Sequence, residues 1–82
     1  MSELKAATDV VDYVVKSFVD NPDAVSVDVD PSASPVRINV TVDKGDMGRV
    51  IGKRGRVANS IRALGRSAAS SEGVDIDLEF VE

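Results

Sequence analysis

Three stretches of this chain alternate apolar and polar residues with a period of two, and they limit the fold more than any other feature. Val25, Val27 and Val29 alternate with Ser26, Asp28 and Asp30. Val36, Ile38, Val40 and Val42 alternate with Arg37, Asn39, Thr41 and Asp43, and Val74, Ile76, Leu78 and Phe80 with Asp75, Asp77 and Glu79. Each pattern predicts a strand with one dry and one wet face. The first two are separated only by the turn-forming run Pro31-Ser32-Ala33-Ser34-Pro35, which predicts an antiparallel hairpin.

Something must cover the three dry faces, and helical periodicity shows what. From Leu4 to about Asp20, apolar residues recur at Leu4, Ala7, Val11, Val14 and Phe18, steps that define one face of a helix. Val10 and Val15 flank that face. Ser2 is read as its N-cap with Glu3 in the first turn, and Asn21-Pro22 as its end. Asp46 is placed to cap a short helix running through Val50 or Ile51. A longer helix is expected from about Arg56 to Ser70, with Val57, Ile61, Leu64 and Ala68 on one side and Gly65 marking a close packing contact. Ser70-Ser71-Glu72-Gly73 closes it. The order is α-β-β-α-α-β, an α+β two-layer domain with a three-stranded sheet covered on one face by three helices. With 82 residues, the chain is read as one domain, 1–82, whose small core would gain from a partner subunit.

The net charge of −4 argues against a polyanionic ligand only on average. Arg49, Lys53, Arg54, Arg56, Arg62 and Arg66 fall within 18 residues that hold no acid, so this segment carries +6 and the rest of the chain −10. A polyanion meets a local field, not the mean. Those cations surround Gly52-Lys53-Arg54-Gly55, where two glycines three apart join the short helix to the long one. Glycine permits a sharp turn and close approach of another backbone, while the next helix begins with unpaired N–H groups and a partial positive charge. The combination suits a phosphate.

The run Val50-Ile51-Gly52-Lys53-Arg54-Gly55-Arg56, followed by Ile61, resembles the Val-Ile-Gly-x-x-Gly signature of KH domains, whose loop clamps about four nucleotides of single-stranded nucleic acid. The element order resembles the type II arrangement. The extended run from Asp46 to Arg56 is similar to the small single-KH bacterial proteins of the KhpA family. This resemblance implies a non-catalytic protein that binds single-stranded RNA and acts in post-transcriptional regulation linked to cell division and envelope growth. Gly52 and Gly55 would admit the backbone, Lys53 and Arg54 would contact phosphate, and Arg49, Arg56, Arg62 and Arg66 would supply the surrounding field. It also implies a groove between the helix after the loop and an adjacent strand, lined by Ile51, Val57 and Ile61. Because one four-nucleotide footprint binds weakly, dimerisation or a second RNA-binding partner is expected, and the resemblance implies a homodimer or a heterodimer with a KhpB-type KH protein.

Other chemistries fare worse. Met47 and Arg54 occupy positions where a Walker A loop needs glycine and a hydroxyl. The chain has neither His nor Cys, which removes the commonest general base, thiolates and disulfides, and its serines lack a triad; no enzyme, cofactor or small-molecule substrate is expected. Asp28, Asp30, Asp75, Asp77 and Glu79 read as a solvated sheet face that repels RNA toward the loop, not as a metal site. Tyr13, Phe18 and Phe80 are the only aromatics, and with Phe18 and Phe80 assigned to core faces there is no stacking platform. No apolar run approaches a membrane span, and a cytoplasmic location is expected. The competing reading is a protein-interaction subunit on the same scaffold, with RNA binding secondary. Nothing in the residues separates RNA from single-stranded DNA.

Overall fold

A computed structural model describes residues 4–81, with the Lys53 side chain excepted. Three α-helices, α1 (Lys5–Phe18), α2 (Met47–Ile51) and α3 (Arg56–Ser71), pack on a sheet of β1 (Ser26–Asp30), β2 (Val36–Thr41) and β3 (Ile76–Val81). The α-β-β-α-α-β order and the α+β class are as the periodicities predict. β1 and β2 form the antiparallel hairpin, with Val27 opposite Val40 and Val29 opposite Ile38. β3 pairs in parallel on the other side of β2, with Ile38 beside Leu78, so the sheet is mixed and β2 is central. The α2–α3 hairpin is the crossover that a parallel pair requires. The predicted cap Ser2 and its neighbour Glu3 lie outside the described residues.

The core is where the sheet's dry face meets the helices. Ile38, Val40, Ile76 and Leu78 are buried against Ala7, Val11 and Val15 of α1, Val50 of α2, and Ile61 and Ala69 of α3. Both long helices are rotated from the faces their bulkiest residues suggest. On α1, Val15 is fully buried, whereas Phe18 is 46% exposed; on α3 the buried stripe is Ala58, Ile61, Gly65 and Ala69, and Leu64 is 47% exposed. The reason is close approach. A Cβ on Gly65 would stand 3.2 Å from Val11 Cγ2 and 3.3 Å from Leu78 Cδ1, so α1, α3 and the sheet converge where the side chain is smallest. The ~1 kcal/mol that glycine costs inside a helix is set against that packing.

Asp46 also departs from its predicted task. Its side chain makes no cap bond to α2. It turns back instead and accepts hydrogen bonds from the amides of Asp20 and Asn21, both at 3.1 Å, just beyond the end of α1. Glu72 acts similarly at a distance: its Oε1 accepts from the first-turn amide of Ala6 at 2.9 Å, tying the end of α3 to the start of α1.

Candidate nucleic-acid interface

Gly52-Lys53-Arg54-Gly55 is the junction between α2 and α3. α2 ends at Gly52, whose amide donates to the Gly48 carbonyl at 3.0 Å and whose φ of 68° lies where L side chains rarely go. A Cβ on Gly52 would fall 2.5 Å from Val57 Cγ2, so only glycine fits there. Arg54 (φ 56°) and Gly55 (φ 72°) are also left-handed. For arginine this conformation costs roughly 1–2 kcal/mol, and such strain clusters at functional sites. Gly55 differs from Gly52 in its surroundings: a Cβ on it would meet nothing closer than Asn59 Nδ2 at 4.0 Å. The first glycine satisfies the fold, and the second leaves open ground on the surface.

Gly55 is the N-cap of α3 and provides no side-chain cap, and the first turn holds no acid. The positive end of a 16-residue helix therefore opens at the loop with its amides unclaimed by a cap side chain. Arg54 and Arg56 are exposed beside it, and among the described residues neither has an ion-pair partner.

The remaining cations are not gathered there. Arg49 pairs with Asp20 at 3.1 Å and stands 4.0 Å from Asp46. Arg66 lies 3.8 Å from Asp77. Arg62 donates from Nε to the Leu78 carbonyl on β3 at 3.1 Å and from Nη1 to Asn59 Oδ1 at 2.9 Å, with its guanidinium 5.8 Å from the centre of the Phe80 ring. The six cations of the +6 segment are thus not six unneutralised charges. Arg49 and Arg66 find acids from outside the basic segment, a pairing that a count along that segment misses.

The groove also differs from expectation. Val57 and Ile61 do line a groove, of about 300 Å³, but its other wall is Val14 and Phe18 of α1 and not a strand. Arg56, Ser60 and Leu64 border it. Ile51 is exposed on α2. Arg56 therefore stands on the α1 side of α3, while Asn59, Arg62 and Arg66 stand on the β3 side. Phe18, assigned to the core by its spacing, is part of the groove wall.

Pattern reasoning gave Asp43 no role beyond the wet face of a strand and read Asp46 only as a cap of α2, yet both bond the residues that follow α1. Asp43 accepts from Asn21 Nδ2 at 2.9 Å and from the Gly45 amide at 2.8 Å, and these bonds hold its carboxyl below the ordinary carboxylate range. The only sequence signal was their position just before α2.

The family model described as the KhpA/KhpB KH domain matches residues 8–80. A protein of Chlamydia trachomatis named RNA-binding protein KhpA is 40% identical over 70 residues, covering 85% of this chain and 90% of the relative. One of the same name from Caldanaerobacter subterraneus is 40% identical over 73 residues, covering 89% and 97%. Another from Borreliella burgdorferi is 30% identical over the full length of both. No solved structure matches the chain. The match spans β2, the glycine loop and β3 together, and the chain belongs to the KhpA/KhpB family of KH domains.

Proposed function

We propose that this protein binds single-stranded RNA without catalysis, in the cytoplasm, by holding the sugar-phosphate backbone at Gly52-Lys53-Arg54-Gly55. The observation that carries this reading is the loop's backbone. Left-handed residues at Gly52, Arg54 and Gly55 set an exposed arginine beside an uncapped, acid-free helix N-terminus. The phosphate enters over Gly55, where there is no side chain to meet it, and Arg54 and Arg56 supply charge. The family relatives named RNA-binding proteins support RNA as the ligand.

The same loop has no aromatic residue on which bases stack, so it provides grip, and base preference must come from the seam beside it. Asn59, Arg62 and the Leu78 carbonyl of β3 are the polar groups there. Weak single-site binding favours association into a homodimer or with a KhpB-type KH protein, serving post-transcriptional regulation. The apolar groove between α1 and α3, with Phe18 and Leu64 exposed at it, supports that association. It equally supports the second reading, a protein-docking subunit for which RNA is secondary.

One measurement separates the two. Binding of a mixed pool of short single-stranded RNAs is followed by fluorescence anisotropy at several salt concentrations, for wild type and for Lys53→Asp with Arg54→Asp. Aspartate tolerates the left-handed conformation at position 54, so the variant should remain folded by circular dichroism. The expected result is salt-sensitive binding that the double variant loses. Unchanged affinity in a folded double variant rejects the loop as the RNA site and leaves the docking reading. Light scattering on the same samples gives the mass, and a monomer at micromolar concentration removes the homodimer.

A further inference from the structure

α2 has five residues, too few to be stable alone, yet it carries the first half of the loop. Val50 anchors it in the core from one side. The other anchor is polar. Asp46, only 4% exposed, sits at the base of α2 and uses both carboxylate oxygens to hold the amides of Asp20 and Asn21. Asp43 adds a bond to the Asn21 side chain. Two carboxylates from the β2–α2 connection thereby clasp the residues that leave α1.

From this geometry we infer that Asp46 is a positioning residue for RNA binding: its clasp on Asp20 and Asn21 fixes the orientation of α2 and so of the glycine loop. It does not touch the ligand. The inference rests on the loop being the RNA site. Asp20 plays the opposite part. Its carboxylate takes up Arg49, a cation on α2 that would otherwise face solvent near the loop.

Charge and position make opposite predictions here, which allows a sharp test. Asp46→Asn and Asp20→Asn each remove one negative charge beside Arg49. If charge alone mattered, both would strengthen binding of a polyanion. The clasp predicts that Asp46→Asn weakens RNA binding, by roughly fivefold. Its slope of log affinity against log salt stays that of wild type, because no phosphate contact is lost. Asp20→Asn binds more tightly and with a steeper slope, since Arg49 is released to contact phosphate.

The experiment is anisotropy with the same RNA pool on wild type, Asp46→Asn, Asp20→Asn and the Lys53→Asp, Arg54→Asp variant, with hydrogen exchange read at the Gly52 amide. Faster exchange at Gly52 in Asp46→Asn, together with weaker binding at unchanged slope, is the expected outcome. Wild-type or tighter binding by folded Asp46→Asn, while the loop variant binds nothing, overturns the inference and leaves the loop assignment standing. Binding that survives the loop substitutions removes both. Should Asp46→Asn fail to fold, native-state exchange on the wild type decides: the Asp20, Asn21 and Gly52 amides should open together as denaturant rises. Independent opening of Gly52 overturns the clasp.

Discussion

The loop end of α3 and the outer face of the sheet belong to one small domain and carry opposite electrostatics. On the sheet, the register sets Asp30, Arg37 and Asp77 in one row and Asp28, Asn39 and Glu79 in the next, so a single arginine lies among four acids. At the loop, Arg54 and Arg56 stand beside a helix N-terminus with no acid in its first turn. Salt screens exposed charges over about 8 Å at physiological ionic strength, so an anion at the loop meets the local cations first, and the net charge of −4 describes neither surface. The basic segment is divided in the same way. Arg49 and Arg66 lie in it by sequence, yet tertiary contacts give them Asp20 and Asp77. Proximity in sequence is not proximity in field.

The largest expected effect tests whether the loop's shape, and not only its charge, sets it apart. Gly52→Ala forces a side chain to 2.5 Å from Val57 at a positive φ and should cost about 3 kcal/mol in urea denaturation. Gly55→Ala meets open space and should cost about 1 kcal/mol, while weakening RNA binding more than its stability loss explains. Equal costs at the two positions would show that the glycines do not have separate tasks. A smaller effect tests the screening argument. Asp28→Asn with Glu79→Gln should raise RNA affinity less than about twofold at low salt and leave it unchanged near 0.15 M. A tenfold gain at physiological salt would show that the sheet face does act on the loop.

The smallest effect concerns the acidic face itself. Hydrogen bonds from the Ser32 hydroxyl and amide, with a lesser contribution from Arg37, hold the Asp30 carboxyl below its ordinary value of 3.8. A carboxyl whose folded value is depressed adds stability above the unfolded value and loses it as pH falls through the folded one. Ser32→Ala should therefore lower Tm slightly near neutral pH, and the gap from wild type should close as pH drops below 3.8. A gap that persists in acid would assign the effect to the turn, not to the charge.

Legibility followed the physics of each element. Alternating valines over β1 and β2, with a five-residue turn between them, admit few alternatives, and the hairpin formed as expected. Helical periodicity located α1 and α3 but gave the wrong rotation for both. Bulk marks Phe18 and Leu64 as core, yet helices that approach closely bury small residues, so Ala58, Gly65 and Ala69 go inward and the large ones remain outside. The loop was legible because its demands are local. A left-handed turn needs glycine, and the glycine, the cations and the following helix are adjacent in the chain. Asp46 was misread for the converse reason: a cap to α2 and a clasp on α1 need the same residue type at the same place.

Local pattern was enough for the α-β-β-α-α-β order, the dry faces of β2 and β3 and the place of the glycine loop, whereas Val29 of the predicted β1 face is exposed. Each follows from steric and hydrophobic rules that act within about ten residues. Long-range packing set which helix faces turn inward, that β3 lies parallel beside β2, and which arginines keep a free charge. Those outcomes depend on groups 11 to 66 residues apart in sequence, such as Arg66 with Asp77, Asp46 with Asn21, and Glu72 with Ala6. A hydrogen bond or ion pair records distance in space, and the pattern along the chain carries no term for it.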